Sequence, residues 1–362
     1  MAKHIILWTL SNGRSEVERK DFKEGMKDGH EGLMGKMPDK KRKNLYRIMS
    51  FLPVSCLRLL IGTVMMCAAT AAVQAAGGRK ARHVVLIGLD GWGSYSVEKA
   101  DMPNVKGLMQ KGAYTLSKRS VLPSSSAVNW ASMFMGAGPE LHGYTEWGSK
   151  VPELPSRTVD EDGIFPTVFG LLHRAAPEAE IGCIYEWEGI RYVVDTLALT
   201  HDYHVVDYES RPEATALHAA AYIKEKRPAL CAIIFDEPDH VGHQIGHDTE
   251  EYYAKLKVQD KWVGMILDAI EEAGMADETI VIVTADHGGI NKGHGGKTMR
   301  EMETPFIICG KGVRQGYQDT LSMMQFDCAS TIAYIFGLPQ PQVWIGRPMT
   351  QFFTHKKKKA RR

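Results

Sequence analysis

Short apolar runs alternate with amphipathic stretches from residue 82 onward. Five runs predict β-strands, because each is a continuous series of Val, Ile, Leu and Ala rather than an alternation with polar residues. Runs of this kind are typical of strands covered on both faces, as in a parallel sheet between helices. The predicted strands are His83–Asp90, Ile181–Trp187, Ala229–Glu237, Glu278–Asp286 and Thr304–Cys309.

Helical periodicity fills the segments between these runs. The clearest helix is predicted over 249–274, and another begins at Asp327, a candidate N-cap, and stops at Gly337. Strands that alternate with helices predict an α/β fold with a doubly wound, mostly parallel sheet and helices on both faces. Segment 140–215 is richer in Pro, Gly and aromatic residues, and we expect it to form a small lid or insertion.

The N-terminal region is predicted to contain a signal peptide at 49–75. Arg58 precedes a mostly apolar run that ends in Val73-Gln74-Ala75, with small residues at the two positions that signal peptidase recognises. An uncleaved signal anchor is the alternative, since the run approaches the ~17–20 residues needed to span a bilayer. Such an anchor would be the chain's one membrane contact.

The remaining boundaries follow from this signal. Residues 1–48 form a polar preamble that favours a true start at Met49. Residues 76–355 are expected to form an exported catalytic domain, periplasmic or secreted, followed by a basic tail at 356–362.

Charge is distributed unevenly along the chain. The 362 residues carry a net charge of +1, but residues 76–355 hold 25 basic and 36 acidic side chains, a net −11. So acidic a body argues against a nucleic-acid-binding groove. It suits a protein whose carboxylates are partly committed to metal ions.

Acidic and histidine side chains stand where the predicted strands end. Asp90 ends one strand, Asp239 and His243 follow a second, and Asp286-His287 ends a third, with His294 further on. Ligands of open α/β sheets bind beyond the carboxyl ends of the strands, so these residues would converge at one edge. Carboxylate and imidazole ligands in this number suit divalent Zn, Mn or Fe, and they divide naturally between two ions.

A nucleophile is predicted in the run Leu122-Pro123-Ser124-Ser125-Ser126. Its three hydroxyls come just before a predicted helix at Val128–Met135, and the start of a helix offers free N–H groups to an anion. An activated hydroxyl there could attack phosphorus. Asn129, three residues after Ser126, is expected to donate its amide to a non-bridging oxygen.

The order of these motifs resembles the alkaline phosphatase superfamily, and within it the nucleotide pyrophosphatase/phosphodiesterase branch. The resemblance covers most of residues 82–350 and rests on LIGLDGWG, LPSSSAVNWASMFMGAGPELHG, FDEPDHVGHQIGH, VTADHGG and GHGG. It implies an alkaline phosphatase-like fold and hydrolysis of phosphodiester or pyrophosphate bonds in a small phosphate ester, such as a nucleotide. It also implies two zinc ions and a covalent intermediate on Ser126.

The resemblance further assigns residues to each ion. One ion would bind Asp90, Ser126, Asp286 and His287, and the other Asp239, His243 and His294. The family's usual nucleophile is Thr, so the choice among Ser124, Ser125 and Ser126 stays open at this point. The body is also short for the branch, so we expect some of the family's substrate-recognition insertions to be missing or reduced.

Three other functions agree less well with these residues. A phosphomonoesterase would use the same ions and nucleophile, with cationic groups facing the substrate. The aromatic residues Trp147, Tyr185 and Trp187, with Arg191 as the one nearby cation, instead favour a diester. We expect Tyr185, Trp187 and Arg191 to bind substrate. A sulfatase would need x-Pro-x-Arg after its nucleophile, which is missing here. A non-catalytic metal-binding module is disfavoured because every expected site position is filled.

Overall fold

The computed structural model describes residues 79–354. The predicted signal peptide, the polar preamble before it and the basic tail lie outside the described residues. Between residues 79 and 354, no helix combines the length and apolar character needed to cross a membrane.

A nine-stranded mixed sheet forms the centre of the structure. Its order is β4-β3-β5-β1-β6-β7-β2-β8, and β9 pairs with β2. The five strands from β4 to β6 are all parallel to one another, which confirms the predicted doubly wound, mostly parallel α/β sheet. In chain order the strands are β1 His83–Leu89, β2 Ala113–Arg119, β3 Ile181–Tyr185, β4 His201–His204, β5 Leu230–Phe235, β6 Thr279–Thr284, β7 Glu303–Gly310, β8 Tyr317–Gln318 and β9 Met323–Met324.

The direction of β7 differs from the parallel arrangement that its sequence favoured. It runs antiparallel to both of its neighbours, β6 and β2. Five consecutive residues of β7, Thr304–Ile308, are nevertheless buried. A continuous apolar run therefore reports that a strand is covered on both faces, and it does not determine the direction of the strand.

Helices cover both faces of the sheet, as predicted. They are α1 Pro103–Lys111, α2 Ser126–Met135, α3 Pro139–His142, α4 Val168–Ala175, α5 Ala214–Lys226, α6 Asp239–Gln244, α7 Glu250–Glu272, α8 Met299–Met302 and α9 Asp327–Phe336. Gly337 ends α9 with a φ of +71°, as expected for a glycine that terminates a helix. The N-cap of α9 is Phe326 rather than Asp327, whose carboxylate instead accepts the backbone N–H groups of Met324 and Arg347.

Two apolar cores result, one on each face of the sheet. Successive residues of a strand point to opposite faces, so Val84 packs with α2, α4 and α9, whereas Val85 packs with α1, α5 and α7. The segment predicted to form a lid contributes to this body, because β3 and β4 are part of the sheet. Its first part, before β3, contains the short helix α3, the helix α4 and long loops.

Candidate active site

Three adjacent parallel strands deliver their carboxyl ends to one edge of the sheet. β1 lies between β5 and β6, with Leu89 opposite Phe235 and Gly88 opposite Thr284. The residues that follow these strands therefore emerge side by side, as in other open α/β sheets. Acidic residues occupy all three positions, with Asp90 after β1, Asp239 at the start of α6 and Asp286 after β6.

Four of the predicted ligands form an inner cluster, consisting of Asp90, Ser126, Asp286 and His287. Nε2 of His287 lies 3.1 Å from Oγ of Ser126 and 3.2 Å from Oδ2 of Asp286. Oδ1 of Asp90 is 3.4 Å from the same nitrogen. The side chains of Asp286 and His287 are completely buried. One imidazole, two carboxylates and one hydroxyl thus point at a common volume.

Each carboxylate of the inner cluster has one oxygen held and one oxygen unsatisfied. Oδ2 of Asp90 accepts from Trp130, and Oδ1 of Asp286 accepts from the backbone N–H of Gly91. Within residues 79–354, no donor reaches the remaining oxygens, Oδ1 of Asp90 and Oδ2 of Asp286. A buried carboxylate oxygen without a donor is costly, and a bound cation would satisfy both at once. The donor set fits a divalent ion of the zinc type.

The other three ligands form an outer cluster, consisting of Asp239, His243 and His294. Oδ2 of Asp239 lies 3.1 Å from Nε2 of His243 and 3.6 Å from Nε2 of His294. The two Nε2 atoms are themselves 3.1 Å apart. The clusters adjoin, since ligand atoms of Asp90, Asp239 and His287 lie within 4.8 Å of one another.

The backbone orients all three imidazoles. Nδ1 of His243 lies 3.0 Å from the carbonyl of Lys292, and Nδ1 of His294 lies 3.0 Å from that of Ser124. Nδ1 of His287 is 2.9 Å from the carbonyl of Gly288. A carbonyl only accepts, so each contact places a proton on Nδ1. In the neutral His287 and His294 this leaves Nε2 as a free lone pair, whereas Nε2 of His243 faces Asp239. Fixing the tautomer in this way is what proteins do for histidines that bind metal.

The electrostatics agree with a site built for cations. Burial, and then the nearby Asp286, hold the pKa of Asp90 well above its ordinary range, and burial with Asp239 does the same for Asp286. Burial lowers the pKa of His287 to about 3, so this imidazole stays neutral and able to ligate. In the outer cluster, the hydrogen bond to Asp239 raises the pKa of His243 to about 9.

Asp239 differs from the inner carboxylates. Burial acts to raise its pKa, but hydrogen bonds from His243 and His247 outweigh burial and hold it well below the ordinary range. Asp239 is therefore an ionised carboxylate, and three histidine side chains lie within 3.6 Å of its oxygens.

Of the three adjacent serines, Ser126 is the one whose hydroxyl meets the inner cluster. Oγ of Ser124 donates to the carbonyl of Gly296 at 2.6 Å and so belongs to the loop that carries His294. Oγ of Ser125 is buried and has no hydrogen-bond partner among residues 79–354. Ser126 is also the first residue of α2, which begins two residues earlier than the predicted helix. The geometry thus favours Ser126.

The expected role of Asn129 does not agree with the structure. Its side chain is completely buried, and Nδ2 donates to the backbone carbonyls of Val121, Pro123 and Ser125 over 3.0–3.3 Å. Its Oδ1 accepts the N–H of Val121 at 2.7 Å. An amide engaged in this way has no proton left for a phosphoryl oxygen. Asn129 instead holds the loop that presents the serines.

The three residues predicted to bind substrate lie away from both clusters. Tyr185 is buried in the core and its hydroxyl donates to Asp202 at 2.8 Å, so the substrate role expected for it is wrong. Trp187 is half-buried against the same core. Arg191 is exposed, in a 3₁₀-helix at Glu188–Tyr192 that packs against α2. For the described residues, no contact joins these three side chains to either cluster.

Trp147 is better placed than these three. Its carbonyl accepts the N–H of Ala127, the residue after Ser126, at 3.1 Å. Its side chain is 68% exposed. An exposed indole thus stands on the loop that touches the beginning of α2.

One histidine of the site, His247, was not predicted from the sequence. His247 is buried, and its Nε2 lies 3.2 Å from Oδ1 of Asp239, the oxygen that faces away from His243. Its ring lies between Gly242 and Gly289, where an added Cβ would approach it to 2.4 and 2.3 Å. The repeated Gly-His pair, Gly242-His243 and Gly246-His247, was the available signal.

Buried ionisable groups lie behind the two clusters. Nζ of Lys118, on β2, donates to the carbonyl of Ala285 at 2.6 Å, and Oγ of Ser120 donates to that of Asp286 at 2.6 Å. These contacts hold the end of β6 behind the inner cluster. At the end of β5, the buried Glu186 accepts the N–H of Asp236 at 2.7 Å and the hydroxyl of Thr215 at 2.7 Å.

Phosphodiesterases are among the known proteins whose sequences are similar to this chain. A venom phosphodiesterase of Crotalus durissus collilineatus is 25% identical over 239 residues, which is 61% of this chain and 28% of that protein. Rat ectonucleotide pyrophosphatase/phosphodiesterase family member 3 is 25% identical over 236 residues, 61% of this chain and 26% of that protein. The chain thus matches little more than a quarter of the length of these relatives.

Solved structures share the fold at low sequence identity. An inactive variant of murine ectonucleotide pyrophosphatase/phosphodiesterase 5, in complex with AMP, superposes with a TM-score of 0.61 at 14% identity, covering 75% of this chain and 98% of that one. A 2-O GAG sulfatase gives a TM-score of 0.62 at 17% identity, covering 77% and 76%. These likenesses show an alkaline phosphatase-like fold.

The family model of type I phosphodiesterase / nucleotide pyrophosphatase matches residues 84–295, which is more than half of the chain. The match begins in β1 and ends one residue after His294, so it spans every residue of the inner and outer clusters. The chain therefore belongs to the type I phosphodiesterase / nucleotide pyrophosphatase family.

Proposed function

We propose that this protein hydrolyses phosphodiester or pyrophosphate bonds with Ser126 as nucleophile and two divalent ions, zinc by preference, held by the inner and outer clusters. The observation that carries the proposal is the inner cluster. Oγ of Ser126 meets His287 at 3.1 Å beside two carboxylate oxygens that lack a donor among the described residues. When bound, the ions would lower the pKa of the serine hydroxyl and neutralise charge on the phosphoryl group.

The residues of the chain supply position and orientation. Ser126 begins α2, so its hydroxyl stands where a helix N-terminus attracts an anion. Asn129 ties Val121, Pro123 and Ser125 together and thereby fixes the backbone just before the nucleophile. His294 contacts the carbonyl of Ser124, which couples the same loop to the outer cluster.

The proposed reaction has two displacements. In the first, the bond from Oγ of Ser126 to phosphorus forms as the bond from phosphorus to the leaving oxygen breaks. The serine proton passes to solvent, and the leaving group takes a proton from water. In the second, a water oxygen bonds to phosphorus while Oγ departs and regains its proton. One water molecule is consumed. The covalent intermediate is a phosphate ester of Ser126 that still carries the second group of the substrate.

Apolar side chains beside the nucleophile support a diester. Trp147 is 68% exposed and Leu122 is 51% exposed, and both belong to segments that touch the start of α2. Among the described residues, no Lys or Arg side chain forms an ion pair with either cluster. A monoester dianion would call for such a cation, whereas an aromatic surface suits the second group of a diester. A nucleotide is the substrate class we propose, since its base could stack on Trp147.

The test is a parallel assay of the purified full chain on a chromogenic phosphodiester, a phosphomonoester and a sulfate ester. Metal content is measured on the same preparation, and Ser126→Ala prepared in parallel reports contaminating activity. We expect the diester to be hydrolysed fastest, with two divalent ions per chain. Faster hydrolysis of the monoester would assign a phosphomonoesterase instead. Metal binding without turnover of any ester would leave a non-catalytic metal-binding protein.

Export is proposed on the sequence of 49–75. The relatives named above include a venom enzyme and an ectoenzyme, which agrees with a site that works outside the cytoplasm. N-terminal sequencing of the mature protein is expected to begin near Ala76. A mature N-terminus within residues 1–48 would contradict this proposal.

A further inference from the structure

A third group of acidic side chains belongs to neither cluster. Asp160 and Asp162 lie on the loop before α4, and Asp195 lies on the segment before β4. One carboxylate oxygen of each residue is within 4.8 Å of the other two. We call this group the three-aspartate cluster. It contains no imidazole or thiol.

Asp195 is the buried member of this cluster, and one of its carboxylate oxygens lacks a hydrogen-bond partner in the described part of the chain. Only 2% of the residue is exposed, and within residues 79–354 no donor reaches its Oδ2. The carboxylate lies against α4 at Gly170, where an added Cβ would approach Oδ2 to 2.5 Å. The fold therefore packs a buried carboxylate oxygen against α4 without a hydrogen-bond donor from the described residues. Burying such an oxygen destabilises the folded state unless a cation balances its charge.

The charges around Asp195 are unbalanced. Nη1 of Arg174 lies 2.9 Å from Oδ2 of Asp160 and 3.7 Å from Oδ2 of Asp162. Among the described residues, Arg174 is the one cationic side chain paired with the cluster, so three carboxylates face a single positive charge. Burial, followed by Asp162 and Asp160, raises the pKa of Asp195 to about 6.

A turn at residues 160–163 brings two of these carboxylates together, and one of them is accessible to solvent. The N–H of Asp162 donates to Oδ1 of Asp160 at 3.0 Å, and Gly163 continues the turn with a φ of +82°. The side chain of Asp162 is 27% exposed, whereas that of Asp160 is 8% exposed. A hydrated ion could thus enter past Asp162 and complete its coordination with water.

We propose that the three-aspartate cluster binds a calcium ion. Calcium takes six to eight oxygen ligands in flexible geometry, so three carboxylates supplemented by water suit it. A donor set without nitrogen or sulfur disfavours zinc, which separates this site from the inner and outer clusters. The bound ion would neutralise the excess charge and tie the 160–162 loop and Asp195 to α4. Its effect is therefore on stability rather than on turnover.

The test measures thermal unfolding of the full chain, carrying the metals with which it was purified, as CaCl₂ is titrated from zero to 10 mM. We expect a saturable rise in Tm of about 2–5 °C, because a ligand that binds only the folded state stabilises it. Asp195→Asn should abolish the rise. Asp268→Asn, an exposed carboxylate on α7, is the matched control and should retain it. Asp162→Asn provides a second variant if Asp195→Asn does not fold.

The proposal has clear ways to fail. A wild-type Tm that does not respond to CaCl₂ would overturn it, as would a response undiminished in both cluster variants. A response to MgCl₂ but not to CaCl₂ would overturn the choice of calcium. If calcium has no effect and the wild-type Tm rises as the pH falls through about 6, Asp195 binds a proton instead, and the site is not a calcium site.

Discussion

The inner and outer clusters share one edge of the sheet but differ in their exposure to solvent. The side chains of Asp286 and His287 are completely buried, whereas 47% of the His243 side chain is exposed. In the inner cluster two carboxylate oxygens lack donors within the described part of the chain. In the outer cluster a proton on His243, whose pKa is about 9, can replace part of a missing cation. An inner ion would therefore be held tightly, and an outer ion would exchange more readily.

A buried ionisable group also lies behind each cluster, a basic one behind the inner cluster and an acidic one behind the outer cluster. The buried Lys118 stands behind the end of β6, and burial lowers the pKa of this lysine to about 7. The buried Glu186 stands behind the end of β5. Both groups are hydrogen-bonded to the backbone of the strand end, so each positions the ligands that follow it.

The largest effect expected in this comparison comes from deleting one carboxylate in each cluster. Asp286→Ala and Asp239→Ala should each lose one ion and at least about 100-fold in turnover, since a site that lacks a ligand binds metal poorly. Metal content and diester hydrolysis are measured together, with Asp268→Asn as control. Full activity of either variant at limiting metal would show that the ligand assignment is wrong.

Chelation should separate the two ions in time. We expect the outer ion to leave roughly tenfold faster than the inner ion, because three ligands, among them the exposed His243, hold it in place of four buried ones. Metal content is followed during exposure to EDTA. His243→Asn should remove the fast phase and leave the slow one. Loss of the slow phase in this variant, or a single rate in the wild type, would mean that the clusters do not differ as proposed.

His247 is predicted to be a positioning residue of the outer cluster. It reaches Oδ1 of Asp239 and leaves Oδ2 for the ion, so its removal should lower outer-site metal affinity and turnover about 10- to 100-fold. His247→Gln keeps an N–H donor and should lie closer to the wild type than His247→Leu. Equal losses in both variants, or weaker binding at the inner site, would indicate a general packing role instead.

Glu186 is expected to give the smallest effect, and one that depends on pH. Burial raises its pKa from 4.5 to about 8. A carboxyl group with a raised pKa stabilises the fold below pH 4.5, and this contribution is lost as the pH rises towards 8. The free energy of unfolding should fall across this window by on the order of 2 kcal/mol more in the wild type than in Glu186→Gln. Urea unfolding at a series of pH values measures the difference, and identical slopes would contradict it.

The sequence predicted the sheet best where strands are apolar. The five predicted strands correspond to β1, β3, β5, β6 and β7. β2 was missed because its sequence, AYTLSKR, mixes buried and exposed polar residues and even includes the buried Lys118. β4 reads HDYH and has no apolar run at all. Both strands exist because of pairing with distant residues, which no local pattern reports.

The structure brings together the acidic residues that were predicted at the ends of strands. Asp90, Asp239 and Asp286 follow from the strands before them. Asn129 and Tyr185 failed for a different reason, because each polar group is taken by a partner that the sequence does not reveal, backbone carbonyls for Asn129 and Asp202 for Tyr185. A polar residue near a site is available to substrate only if its hydrogen bonds are free.

The central claim is that the hydroxyl of Ser126 attacks phosphorus. The most direct measurement is steady-state turnover of a chromogenic diester by Ser126→Ala and by Ser125→Ala, with both ions confirmed by metal analysis. Ser125 is the matched control, because its hydroxyl is buried nearby and makes no hydrogen bond within residues 79–354. We predict a loss of at least about 1,000-fold for Ser126→Ala and a change within about threefold for Ser125→Ala. Near-normal turnover by Ser126→Ala with both ions bound would contradict the covalent mechanism.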